Sequence, residues 1–326
     1  MLTLSVQPEQ WPIRGVFRIS RGARTVSEPV VVEIGDGIHI GRGECLPYPR
    51  YGESVDGVVR QIEEIADVVA RGIGREALLE ALPPGAARNA LDCALWDLEA
   101  KRGATPAWRL AGVPQPEPLT TAYTISLAEP DEMAESARTQ AHRPLLKLKL
   151  TGDGDLDRVR AVHEAVPTSA LIADANEAWT PDTFQELAPQ FAKLGVEMIE
   201  QPFPADQDAV LTELEHPVAV CADESCHTSE DVPWLRGRYD LINIKLDKTG
   251  GLTEALRLQS AALSAGLGIM IGCMVGTSLG IAPATLLGST ASYIDLDAPL
   301  LLAKDREHGI EFDGSVLNPP VKELWG

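Results

Sequence analysis

The chain has 326 residues, of which 44% are hydrophobic and 23% charged, an ordinary composition for a globular protein. Its 28 Lys and Arg against 48 Asp and Glu leave a formal charge of −20, which argues against nucleic acid and anionic membrane as partners. There is no run of ~18 apolar residues to span a bilayer. Met1 to Val6 alternate like a strand and lack the build of a secretion signal, so the cytoplasm is the expected location. The five cysteines are scattered and odd in number, which suits reduced thiols better than a disulfide frame.

The first third reads as mixed α and β. Strands are expected at Leu2–Val6, Gly15–Ile19, Val30–Ile34 and Ile38–Glu44, with Gly35-Asp36-Gly37 as a turn. Val58, Ile62, Ile65 and Val69 have helical spacing, and a second helix is expected from Ala86 to Arg102, after Pro83-Pro84 and before Gly103. From Leu119 onward, short apolar runs alternate with polar helix-like stretches. Eight candidate strands follow: 121–126, 145–150, 170–174, 198–200, 218–223, 241–245, 268–272 and 292–295. Such runs describe a parallel sheet buried on both faces, and eight of them describe a barrel. The segment is short for a full barrel of ~250 residues, so the last helix is expected to be absent or replaced by the tail.

Lys149, Asp174, Glu200, Asp223 and Lys245 each close a candidate strand, at separations of 25, 26, 23 and 22. One strand–helix unit has about that length, so five successive units bring a charge to the same rim. Barrel enzymes keep their active sites there. Three converging carboxylates repel one another unless a hard cation sits among them, and Mg²⁺, one per subunit, suits such a site. Lys149 and Lys245 flank the trio. A lysine is ordinarily a poor base at neutral pH, but near the ammonium of Lys147 and a Mg²⁺ its pKa is expected to fall. Two bases on opposite faces of one carbon can invert it by removing a proton and returning another through an enediolate.

These residues resemble a family. Lys147-Leu148-Lys149, Asp174-Ala175-Asn176, Glu200-Gln201-Pro202, Asp223-Glu224-Ser225 and Lys245 to Gly251 are similar to the motifs of the enolase superfamily, muconate-lactonising subgroup. The resemblance implies an α/β fold: a modified (β/α)₇β barrel over 116–302 under an α+β capping domain over 1–115, completed by the tail 303–326. It implies Lys149 and Lys245 as the two bases, Asp174, Glu200 and Asp223 as the Mg²⁺ ligands, and Asn176 and Glu224 as their neighbours in support. Asp295-Leu296-Asp297 looks like the acidic pair with which dipeptide epimerases hold a substrate ammonium. Arg24 takes the place of an arginine that meets a glutamate side chain from a mobile capping loop. Lys147 and Thr124 are placed beside the substrate, with Thr120 and Thr121 as competitors for the threonine's role.

The activity implied is inversion of the C-terminal residue of L-Ala-D-Glu or L-Ala-L-Glu, as in murein peptide recycling. The expected partner is a small dipeptide, with a homo-oligomer also compatible. Relatives with the same fold and metal offer other chemistries, o-succinylbenzoate synthase or N-acylamino acid racemase, and a Schiff-base aldolase stands further off. The Asp295–Asp297 pair speaks against the synthase, whose substrate carries no ammonium.

Overall fold

A computed structural model describes residues 1–326. The chain begins with β1 (Thr3–Pro8), β2 (Trp11–Ile19), β3 (Gly22–Ser27), β4 (Val30–Gly35) and β5 (Ile40–Cys45). Four helices follow, α1 (Val55–Glu64), α2 (Ala66–Ala70), α3 (Arg75–Ala81) and α4 (Ala86–Gly103). Strands β1, β4 and β5 form an antiparallel sheet, while β2 and β3 form a separate hairpin. The strand expected at Ile38 starts at Ile40. The Asp36 carboxylate accepts the N–H groups of Ile38 and His39 at 2.8 and 2.7 Å and holds them in the turn. The single helix expected from Val58 to Val69 is two, because the chain leaves the helical conformation at Ile65.

Helix α4 is the spine between the two lobes. Its alanines let β5 approach so closely that a Cβ on Gly43 would lie 2.1 Å from the Ala90 carbonyl, and one on Gly41 2.2 Å from that of Ala94. On another face Arg88, Asp92 and Trp96 follow at helical spacing. Arg88 donates to the carbonyls of Thr249 and Gly250, Asp92 accepts from the Thr253 N–H and hydroxyl, and Trp96 donates to the Thr253 hydroxyl. A helix buried on both sides shows only part of its packing as an apolar stripe.

After α5 (Ala107–Leu110) and the short β6 (Leu119–Thr120) comes the barrel: β7 (Tyr123–Ile125), α6 (Pro130–Thr139), β8 (Leu145–Lys149), α7 (Asp155–Ala165), β9 (Ala170–Asp174), α8 (Pro181–Lys193) and β10 (Val196–Glu200). It continues through β11 (Ala219–Ala222), α9 (Val232–Leu235), β12 (Leu241–Ile244), α10 (Leu246–Thr249), α11 (Leu252–Ser264), β13 (Gly268–Gly272), α12 (Ser278–Ile281), β14 (Tyr293–Asp295) and α13 (Ala298–Leu301). The eight strands β7 to β14 pair in sequence order, all parallel. The Ala122 N–H donates to the Ile294 carbonyl at 2.8 Å and joins the two ends of the sheet. The architecture is a modified barrel with a capping domain, as the sequence led us to expect.

The barrel's short length has several sources rather than one. After β10 the connection is a 3₁₀ turn (Asp208–Glu213), after β11 a 3₁₀ turn and the one-turn α9, and after β14 only α13. Beyond it, β15 (Phe312–Asp313) and β16 (Val316–Leu317) form a hairpin whose β16 pairs with β6. The last residues return to α4, where Trp325 donates to the Cys93 carbonyl at 3.0 Å. No helix is long and apolar enough to cross a membrane.

Inside the barrel, Ala122, Ile172, Met198, Cys221, Leu241 and Met270 pack as a buried apolar floor, with Leu145 and Tyr293 against it. Side chains on one face of a strand recur every second residue. Two residues above each floor position therefore stand Thr124, Asp174, Glu200, Asp223, Asn243, Gly272, Lys147 and Asp295. A polar layer rests on an apolar one.

Gly43→Ala should lower stability by about 1–3 kcal/mol, since the added carbon meets backbone and not a movable side chain. Thermal melting checks this against Gly74→Ala, which faces open space at an ordinary φ and should melt like the parent.

Candidate active site

The ammonium of Lys147, buried at the centre of this layer, lies 3.2 Å from Asp174, 2.6 Å from Glu200 and 2.8 Å from Asp295. Burial would lower its pKa, but Asp295, Glu200 and Asp174 together raise it well above the ordinary value. One pleat higher, Lys149 contacts Asp174 at 2.5 Å and Lys245 contacts Asp223 at 2.6 Å. Lys248 takes the other Asp223 oxygen at 2.6 Å and the Asn243 carbonyl at 2.9 Å. Asn243 in turn donates to Glu200 at 2.7 Å. Against the effect of burial, these ammonium groups hold Asp174 and Asp223 below the usual carboxylate range. Glu200 is raised by burial and by the charge of Asp174.

The expected fall in lysine pKa supposes a bound Mg²⁺; among the protein's own groups the balance at Lys245 runs the other way. Its pKa is raised, because Asp223 and Glu200 outweigh both burial and the Lys147 ammonium. The acidic trio is also divided. Asp174 and Glu200 converge on Lys147, whereas Asp223 is clasped by Lys245 and Lys248, and no three acids surround one point as a ready cage. Of the three, only Asp223 has both carboxylate oxygens on lysines, so a cation held by all three shares those oxygens or displaces one lysine. The donor set nevertheless fits a hard cation. Buried Asn176 Oδ1, Glu224 Oε2, Asn243 Oδ1 and Asp295 Oδ1 have no hydrogen-bond donor, and Glu200 Oε2 has only its ion contact with Lys147. Unsatisfied buried acceptors of one chemistry call for a positive partner.

Asp297 sits beside Asp295 and accepts the Thr124 N–H at 2.7 Å. Burial first, and then the Asp295 charge, push its carboxyl up to about 7. Thr124 is thus tied to the acidic pair through its backbone. Its rival Thr121 is spent on structure, its hydroxyl accepting the Leu296 N–H at 2.9 Å. Asn176 donates its N–H to Asp174 at 3.0 Å. Glu224, raised to about 7 chiefly by burial, pairs with Arg21 at 2.6 Å.

A cavity of about 450 Å³ opens above, between the barrel mouth and the β2–β3 hairpin. Lys149, Asp223 and Lys245 line it, whereas Lys147, Thr124, Asp174, Glu200, Asp295 and Asp297 lie beneath its lining. Arg24 also lines it, from strand β3 rather than from a loop, with no carboxylate within ion-pair distance. The other cations at its wall, Arg21, Arg50, Lys149 and Lys245, are all paired. Our sequence analysis missed three residues of this site. Lys248 lies one turn of α10 beyond Lys245, a spacing that could have revealed it. Asn243 lies one pleat below Lys245 on β12. Gln201, in the Glu-Gln-Pro motif, accepts the N–H groups of Asp223 and Ser225 at 2.9 and 3.1 Å and joins two strand ends.

Residues 1–112 match the N-terminal domain of the mandelate racemase / muconate lactonizing enzyme family, and residues 131–317 match the enolase C-terminal domain-like family. The chain belongs to the enolase superfamily. Relatives that it matches are named epimerases and racemases, which are isomerases. The L-Ala-D/L-Glu epimerase of Escherichia coli (strain K12) is 47% identical over 96% of this chain and 98% of its own. An N-acetyl-D-glutamate racemase of Pseudoalteromonas sp is 44% identical over 91% and 95%. Among solved structures, an enolase family member from Agrobacterium tumefaciens with bound sodium and L-Ala-L-Glu is 52% identical, covers 100% of both chains and superposes with a TM-score of 0.98. A dipeptide epimerase from Enterococcus faecalis V583, complexed with Mg and L-Leu-L-Tyr, is 29% identical over 97% of this chain and 96% of its own, with a TM-score of 0.89.

Lys147→Met should leave three buried carboxylates without their shared cation and cost about 3–5 kcal/mol at pH 7. Urea unfolding should show the deficit shrinking as the pH is lowered. Glu200, already raised in the folded protein, then takes up a proton and relieves the repulsion.

Proposed function

We propose that this isomerase is a Mg²⁺-dependent dipeptide epimerase that inverts the α-carbon of the C-terminal residue, with Ala-Glu dipeptides from murein recycling as its substrates. The observation that carries this reading is the placement of its charges around the ring. Lys149 on β8 and Lys245 after β12 are four strands apart in an eight-stranded barrel, hence on opposite sides, and both open to the cavity. Glu200 on β10 and the Asp295–Asp297 pair at β14 are likewise four strands apart, on the axis that crosses the first.

A dipeptide lying along the second axis places its carboxylate toward Glu200 and its ammonium toward Asp295 and Asp297. Its α-carbon is then near the crossing, with one lysine on each face. The neutral lysine on one face takes the α-proton, and the ammonium on the other returns one, which inverts the centre. Asp174, Glu200 and Asp223 would hold Mg²⁺. When bound, the cation supplies positive charge opposite the substrate carboxylate and, by engaging the acids that clasp the lysines, weakens their hold on their protons. Asp295 and Asp297 hold the ammonium, which also favours the ionised form of Asp297. Arg24, the unpaired cation of the cavity wall, meets the glutamate side chain.

Proton NMR in D₂O with Mg²⁺ tests the bases. Lys149→Ala and Lys245→Ala should each lower epimerisation by at least ~10²-fold, while each still exchanges the α-proton of one epimer. Excess EDTA should stop the wild-type reaction. Near wild-type turnover by either variant, or in EDTA, overturns the assignment.

Arg24→Met should raise KM for L-Ala-L-Glu by roughly 10–100-fold, the loss of a charge-assisted contact, and leave L-Ala-L-Leu nearly unchanged. KM for free dipeptides should rise as the pH falls below about 7, where Asp297 takes up its proton and its half of the ammonium seat is neutral. The relative that racemises N-acetyl-D-glutamate supports a second reading, in which an acyl group replaces the ammonium. Faster turnover of N-acetylglutamate than of Ala-Glu would favour it.

A further inference from the structure

The hairpin above the cavity carries two arginines with different surroundings. Arg21 lies in the turn, just before the last ladder pair Ile19–Gly22 closes, and Arg24 returns on β3 opposite Phe17. Arg24 has no acidic partner. Both terminal nitrogens of the Arg21 guanidinium are engaged: they reach Glu224 at 2.6 Å, the Asn176 carbonyl at 2.9 Å, the Tyr48 hydroxyl at 3.1 Å and Glu177 at 3.2 Å. These partners come from the capping-domain segment after β5 and from two barrel loops. Glu177 is itself fixed, taking both arms of the Arg50 guanidinium at 2.7 Å and the Ala205 N–H at 3.0 Å. Asn176 and Glu177 both have positive φ, 45° and 65°, an uncommon pair of left-handed residues without glycine. Apart from Arg21, this end of the hairpin is held to the barrel by the Ser20 hydroxyl on the Asn176 carbonyl at 3.2 Å and by the Leu127 N–H on the Arg18 carbonyl at 3.0 Å.

We propose that Arg21 is a positioning residue that clasps the hairpin onto the barrel mouth, so that Arg24 and the apolar hairpin wall stand where the substrate side chain is read. The proposal rests on the epimerase reading for its substrate and extends it to a residue that does not touch the substrate. Its carboxylate partners follow Asp174 and Asp223 closely in sequence, so the clasp fastens directly onto the loops of the reacting centre. An arginine suits this role because its planar fork serves several acceptors at once, which a lysine cannot do.

The test compares Arg21→Met, Arg21→Lys, Glu177→Gln and Arg24→Met by hydrogen exchange of the peptide spanning residues 17–24 and by kinetics on L-Ala-L-Glu and L-Ala-L-Leu with Mg²⁺. Arg21→Met should speed exchange there ~10-fold or more, as expected when a local opening loses its main restraint. It should raise KM for both dipeptides, for L-Ala-L-Glu at least as much as for L-Ala-L-Leu, and change kcat less than ~3-fold. Glu177→Gln should move exchange the same way, and Arg21→Lys should recover part of the loss. Arg24→Met should leave exchange at the wild-type rate and affect L-Ala-L-Glu alone. Unchanged exchange in Arg21→Met, or a KM effect confined to L-Ala-L-Glu, overturns the clasp. Wild-type protein inactive on both dipeptides would overturn the substrate reading, while the exchange comparison would still decide the clasp.

Discussion

The buried ammonium of Lys147 is the contact on which the barrel mouth depends. Asp174, Glu200 and Asp295 come from three different strands and sit in an interior where like charges repel strongly. One cation within 3.2 Å of all three makes their approach tolerable. Around it, Asp174 also meets Lys149, and Asp223 meets Lys245 and Lys248. The layer is interlocked, and removing Lys147 leaves Glu200 and Asp295 buried without an ammonium. Such pairs add little net stability compared with an apolar core, but breaking one is costly.

The support for this layer comes from two directions. Below it, the apolar floor fixes the register of the strands, since a slip by one residue would turn every charged side chain outward. Beside it, α4 joins the lobes through buried polar contacts with Thr249, Gly250 and Thr253. Those residues begin just after Lys248, so the capping domain is tied to the strand end that carries Lys245. The position of the cap and the position of one proposed base are mechanically linked.

Much of this was legible in the sequence, and the parts that were not share physical causes. The rim charges could be found by subtraction because each strand–helix unit has nearly constant length. The barrel itself followed from apolar runs that need no alternation when both faces are buried. Strand β3 was invisible because five of its six residues are exposed and no buried face imposes a period. The break at Ile65 was hidden because the apolar spacing continues through it. Lys147 was read as a neighbour of Lys149 and of the substrate and not as the partner of three acids, because spacing along the chain gives the height of a residue in the barrel and not its neighbours across the interior. The raised pKa of Lys245 has the same origin, since its carboxylate partners lie on other strands.

The hairpin answers to a different set of constraints from the mouth beneath it. Of the residues in β3, Gly22 to Val26 are exposed, and they carry no partner that a substitution would strand in the interior. Changes there reshape the wall that a side chain meets without disturbing the charge pairs that move the proton. The molecule thus separates an evolvable surface from a frozen one. Variants selected for new second residues should accumulate on this hairpin, and proteins of very different preference can share one unaltered rim.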